Sequence, residues 1–173
     1  EFLNHPTVLG IGEIGLDKNS KNELLILEEQ LALAEKHDRL VLVHTPHLED
    51  KRKGTMLIMD AVDNTSISPD RVLIDHVEEH TIREVLDRGF WAGMTLYPDT
   101  KCTPQRAADI IEMYGTDRLW INSAGDWGPS DPLAVPKCRR ELASRGHHAD
   151  TIHTISYANP LEFLSKSGRF SVT

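Results

Sequence analysis

Short apolar runs recur along the chain, each followed by a polar loop and a stretch with helical spacing, and this repeat constrains the fold more than any other feature. "LVLV", "VLI" and "LWI" are such runs. Strands with one wet face alternate apolar and polar residues, whereas unbroken runs belong to strands covered on both faces, as in parallel β/α folds. The pattern predicts strands at Thr7–Glu13, Leu40–His44, Arg71–His76, Phe90–Leu96 and Arg118–Ser123. Between the first two, "NELLILEEQLALAEKH" sets Leu24, Leu27, Leu31 and Ala34 at helical spacing, with acids early and Lys36 late to suit the helix dipole. Further helices are expected in "GTMLIMDAVDN", in "EHTIREVLDRG", and in "TPQRAADIIEMYG", where Thr103 caps, Pro104 takes the first turn and Gly115 stops it. Beyond the last strand, "DPLAVPKCRRELASRG" and "ADTIHTISYANPLEFLSKSG" read as helical, the latter with a break at Asn159-Pro160.

Five strands with intervening helices fit an open doubly wound sheet or part of an eight-stranded barrel of about 250 residues. A length of 173 residues by itself favours the open sheet. With 39% hydrophobic and 27% charged residues, the chain has the composition of one globular domain. No apolar run approaches the roughly 20 residues of a membrane span, so a cytoplasmic location without membrane contact is expected. Cys102 and Cys138, with no CxxC spacing, read as two reduced thiols. A net charge of −8 argues against a broad basic surface for gripping duplex DNA, although not against contact with a few phosphates through metals. The first residue is Glu, almost directly before a strand, which suggests processing or a fragment.

Function in parallel β/α folds gathers at the carboxyl ends of the strands. Those positions supply Glu13 from "GIGEIGLD", His44 from "LVLVHTPH", His76 from "VLIDHVEE" and, after the last strand, Asp126 from "WINSAGDWG". The fourth strand ends in "TLYPDT", with no evident ligand. Each residue alone is commonplace, a lone strand-end His being more often a core or loop residue. As a set, oxygen and nitrogen donors on separate strands facing one cavity suit one or two divalent ions such as Zn, Mn, Fe or Mg. "GIGEIG" resembles a dinucleotide fingerprint only superficially, since an acid in the turn repels a pyrophosphate and no helix follows directly. No GxSxG supports a serine nucleophile.

In order and approximate spacing, "VLGIGEIGLD", "VLVHTPH", the His of "IDHVEE", the Asp of "SAGDWGPSDP" and the closing "ANPLEFL" resemble the TatD-type metal-dependent hydrolases of the amidohydrolase superfamily. The resemblance implies an α/β fold of the TIM-barrel type. Glu13 would end the fourth barrel strand and bridge two metals. His44 and His76, on the fifth and sixth strands, would hold one metal. Asp126, after the eighth, would bind the other and accept the proton of the attacking water, the metals activating that water and stabilising the oxygens of the scissile bond. The family opens with an HxH pair on its first strand, and this chain contains no HxH. The five predicted strands then correspond to strands four to eight of a single, N-terminally truncated barrel domain spanning residues 1–173. Glu13, His44 and His76 still make a three-ligand site with an open position.

The expected activity is hydrolysis, by a metal-activated water, of a phosphoester in a nucleic acid or a small molecule, as in a TatD-like deoxyribonuclease, or of a related ester or amide bond. The rivals are a lactonase or amidohydrolase of small metabolites and a non-catalytic truncated barrel. Against a DNase, "HVEE" places Glu78 and Glu79 near the cavity, where they repel a polyanion unless they face the following helix. Unpaired backbone on the first and last strands predicts a homo-oligomer. His47 and Lys101 read as solvated loop residues rather than substrate contacts, and His80 as part of a helix start. His147, His148 and His153 read as solvated, Trp91 and Tyr114 as packing residues, and Trp127 as either a pocket wall or a loop contact.

Overall fold

The computed structural model describes residues 2–47, 50–98, 100–125 and 128–171. The five strands are β1 (Gly10–Gly15), β2 (Leu40–His44), β3 (Val72–Ile74), β4 (Trp91–Leu96) and β5 (Leu119–Ser123), all parallel and ordered as in the sequence. Helices α1 (Lys21–Lys36), α2 (Lys51–Asp63), α3 (Ile82–Asp87) and α4 (Pro104–Tyr114) connect them, and α5 (Ala134–Ser144), α6 (Ala149–His153) and α7 (Asn159–Ser165) follow β5. A doubly wound sheet reverses its strand order at a switch point and carries helices on both faces. A strictly sequential order, with crossovers of the usual hand, puts the connecting helices on one face and so excludes that arrangement here. Among the described residues no helix is long and apolar enough to cross a membrane.

Alternation along the strands divides the core in two. Val41, Val43, Val72, Ile74, Ala92, Met94, Leu119 and Ile121 join the large core beneath the helices. Leu40, Leu73, Trp91 and Trp120 form a second cluster with Phe163 of α7, against which Leu42 and Leu164 pack. Phe163 meets Trp91 and Trp120 edge-on, with ring centroids 5.8 and 5.3 Å apart. Trp91 is therefore a packing residue, as expected, and Tyr114 packs against the large core.

Local chemistry sets the helix ends. Ser20 and Glu23 form a capping box for α1, and Thr103 accepts the Arg106 amide at the start of α4, which Gly115 ends with φ 79°. Helix α2 begins three residues earlier than its apolar pattern suggests, because Asp50 caps it by accepting the Lys53 amide at 2.9 Å. The expected break at Asn159-Pro160 does not occur. Instead a π-helical turn, Thr154–Ala158, leads into α7, and the Asn159 amide bonds back to Thr154. The wider turn makes room for a proline ring that would clash in a regular helix interior. Asn159 is buried and donates to the carbonyls of Thr116 and Leu119, both at 2.6 Å, fixing α7 to the start of β5. Farther along, the Lys166 carbonyl accepts from Arg71 and its ammonium meets Asp70, so the C-terminal segment runs under the amino ends of β5, β4 and β3.

The carboxyl ends depart from expectation at two strands. Strand β1 starts at Gly10 and continues past Glu13 to Gly15, because Ile14 and Gly15 pair with Val43 and His44 after a register irregularity between Ile11 and Ile14. Strand β3 stops at Ile74, two residues before His76, which takes a left-handed φ of 62°. Cys102 and Cys138 are free and buried, and burial pushes both thiols up to about 12. Of the three late histidines, His148 and His153 are exposed as expected, the first accepting the Asp150 amide at the start of α6 and the second lying tilted against Tyr157, whereas His147 is partly buried and pairs with Glu112 at 3.0 Å.

Candidate metal centre

Glu13, His44 and His76 are brought together at the carboxyl ends of β1, β2 and β3, each offering a ligand atom within 4.8 Å of the others. Oε1 of Glu13 lies 3.8 Å from Nε2 of His76, and Nδ1 of His44 lies 3.1 Å from the same nitrogen. His76 is buried, His44 partly so, and the Glu13 side chain is about half exposed, so the group opens toward solvent on its carboxylate side. Asp126, the fourth expected ligand, and Trp127 lie outside the described residues.

The surrounding hydrogen bonds determine which ring nitrogens are available. The Thr95 hydroxyl donates to Oδ1 of Asp75 at 2.9 Å, so its oxygen can only accept from Nδ1 of His76, 2.6 Å away. Nε2 of His44 lies 2.6 Å from the Asp17 carboxylate, which makes it the donor. With both imidazoles neutral, each N–H points outward and the remaining nitrogens, Nε2 of His76 and Nδ1 of His44, 3.1 Å apart, are left as lone pairs beside the Glu13 carboxylate. Burial is the main cause that pulls His76 down to about 4, with Asp75 opposing it, so at neutral pH its inner nitrogen is unprotonated. Two nitrogen lone pairs and a carboxylate oxygen form a donor set that fits a divalent cation, with outer carboxylates orienting the rings as in known metal centres.

His76 is also held through its backbone. Its amide donates to Asp75 Oδ1 at 2.8 Å, and its carbonyl accepts from Lys51 Nζ at 2.8 Å. Asp75 Oδ1 accepts a third bond, from Asn122 on β5, at 3.0 Å. This is possible because residue 93 is glycine: a Cβ there would lie 2.5 Å from that oxygen.

Glu78 and Glu79 do not stand as free charges in the mouth. Lys51 binds Glu78 at 2.7 Å, and Arg106 binds Glu78 at 3.1 Å and Glu79 at 2.6 Å. Burial alone would raise Glu78, but Lys51 and Arg106 hold its carboxyl below the ordinary value, and Arg106 does the same for Glu79. Glu78, Glu79 and His80 also lie close enough together to hold an ion. With both carboxylates engaged by cations, that trio is a poorer site than the first. His47 is partly buried, and burial, then the nearby ammoniums of Lys51 and Lys101, hold its pKa below the usual value.

Spacing did not disclose the residues that orient the histidines. Asp17 lies inside "GEIGLD" and Asp75 directly precedes His76, so a neighbouring acid was the available signal for both. Thr95, Asn122 and Lys51 come from other elements, and nothing local marks them. Lys101, expected to be solvated, stands 3.1 and 3.3 Å from the two ring nitrogens of His76.

A family model described as TatD related DNase matches residues 1–163. An uncharacterized metal-dependent hydrolase of Methanocaldococcus jannaschii is 30% identical over 163 residues, covering 94% of this chain and 64% of that protein. A TatD-like protein from Archaeoglobus fulgidus superposes with a TM-score of 0.70 at 27% identity, over 90% of this chain and 60% of that one. The phosphotriesterase homology protein of Escherichia coli, solved with phosphate in its active site, is similar in fold, with a TM-score of 0.72 at 12% identity over 90% of this chain and 59% of its own. The chain thus spans about two thirds or less of the length of these relatives. With the family model matching from the first residue into the last helix, the chain belongs to the TatD related DNase family.

Proposed function

We propose that this chain carries the metal-binding part of a hydrolase that directs water at a phosphoester, and that its sheet is an arc of a closed β/α barrel comprising the fourth to eighth strands. The observation that carries this reading is the pair of inward lone pairs on His44 and His76 beside Glu13, each ring anchored outward by Asp17 or by Thr95 with Asp75. Glu13, His44 and His76 would hold a divalent ion there, which would supply the Lewis acidity that activates water and polarises the scissile group. The protein's part is to hold the donors in place. Glu13 contributes the negative charge that favours the ion, and Asp17 and Asp75 keep both imidazoles in the ligating tautomer. Asp126, which follows β5 in the sequence, is assigned as proton acceptor from the water and donor to the leaving oxygen. Neutralisation of Glu78 and Glu79 by Lys51 and Arg106 removes the electrostatic objection to an anionic substrate, which favours a phosphoester over a lactone or amide.

The test is turnover of bis(p-nitrophenyl) phosphate by the chain supplied with Mn²⁺ or Zn²⁺, alongside a count of tightly held ions. About one ion or more per chain, lost in Glu13→Gln, and turnover abolished by chelator and reduced at least about 100-fold in Glu13→Gln and Asp126→Asn, are expected. Turnover indifferent to chelator and to both substitutions overturns the reading.

A further inference from the structure

We infer that Lys101 binds the negatively charged oxygen of the substrate beside the metal centre, and thereby selects an anionic scissile group over a neutral ester or amide. This inference rests on the assignment of Glu13, His44 and His76 as the metal centre.

The first support is position. The Lys101 ammonium lies within 3.3 Å of both ring nitrogens of His76, including the Nε2 that faces Glu13 and His44, and 5.4 Å from the centre of the Tyr97 ring. An ammonium so close to a divalent cation is repelled by it, and an anionic oxygen lying between the two relieves the repulsion as a neutral carbonyl cannot.

The second support is the way Lys101 is presented. The segment after β4 is closed at its base by backbone bonds, from the Tyr97 amide to the Cys102 carbonyl at 3.1 Å and from the Cys102 amide to the Thr95 carbonyl at 3.3 Å. The Lys101 carbonyl accepts from Arg106 at 2.7 Å, and Arg106 is itself fixed by Glu78 and Glu79. The same β4 end that orients His76 through Thr95 thus delivers the ammonium on a braced base. Such bracing lowers the entropy lost when a ligand binds.

The third is the charge of the mouth. Glu78 and Glu79, which follow β3, are engaged by Lys51 and Arg106, so an arriving anion does not meet two bare carboxylates there.

The experiment uses the full chain and two titrations: Mn²⁺ first, then inorganic phosphate onto the manganese-loaded protein, by equilibrium dialysis. In Lys101→Met and Lys101→Gln, manganese is expected to bind at least as tightly as to the wild type, the repelling ammonium being gone, while phosphate binds at least about tenfold more weakly; Lys101→Arg stays within about threefold on both. Retained manganese binding serves as the check that both variants are folded. Equal phosphate affinity in wild type and Lys101→Met, or no phosphate binding by either, overturns the role of Lys101 and leaves the metal centre standing. Failure of the wild type to bind manganese appears in the first titration and overturns the metal centre, and the role of Lys101 with it.

Discussion

Every polar atom of His76 is bonded or faces the donor cluster: its amide to Asp75, its carbonyl to Lys51, Nδ1 to Thr95, and Nε2 toward His44 and Glu13. At this scale Thr95 is the sensitive point, because one hydroxyl both accepts from the imidazole and donates to the carboxylate. Thr95→Val keeps the shape and removes both bonds, leaving the ring free to present the wrong nitrogen. Metal affinity is expected to fall about 10- to 100-fold, with Thr95→Ser restoring most of it, as measured by Mn²⁺ titration. If the valine variant binds metal as tightly as the wild type, Thr95 has no orienting role. None of this was legible in "TLYPDT", which offers no ligand, because an orienting hydroxyl has no spacing rule of its own.

Among the elements, α7 anchors the amino ends of the strands. Its Phe163 fills the space between Trp91 and Trp120, and Asn159 ties its start to β5. Phe163→Ala is expected to cost about 3–5 kcal/mol in urea unfolding. Since α7 underlies the amino ends of the strands and the candidate metal centre lies at the carboxyl ends, the folded variant should bind Mn²⁺ as the wild type does. Loss of metal binding at full folding would show that the two ends are coupled. The closing helix was visible as an apolar pattern, but its π-turn was not: a proline signals an obstacle to a helix, and only packing on the sheet decides whether the chain breaks or widens there.

For the whole molecule, the exposed edge is the dominant feature. Among the described residues β1 pairs only with β2, and α1 beside it exposes Leu25, Ile26 and Leu33 by 58, 53 and 44%. Unpaired backbone next to apolar surface invites association. The isolated chain is expected to elute as a dimer or larger in size-exclusion chromatography at micromolar concentration, and Leu25→Lys with Ile26→Glu to shift it toward monomer. A monomer at all concentrations would count against the edge as a sticky surface. The sequence by itself indicated the five strands, most helices with the cap of α4, and the candidate donors Glu13, His44 and His76, because apolar periodicity, capping and strand-end position are local properties written residue by residue. Only the tertiary structure decided the sequential strand order, the outward N–H partners Asp17 and Thr95, the neutralisation of Glu78 and Glu79, and the placing of Lys101 beside His76. Those depend on side chains from different elements meeting in space, and no pattern within one element encodes such a meeting.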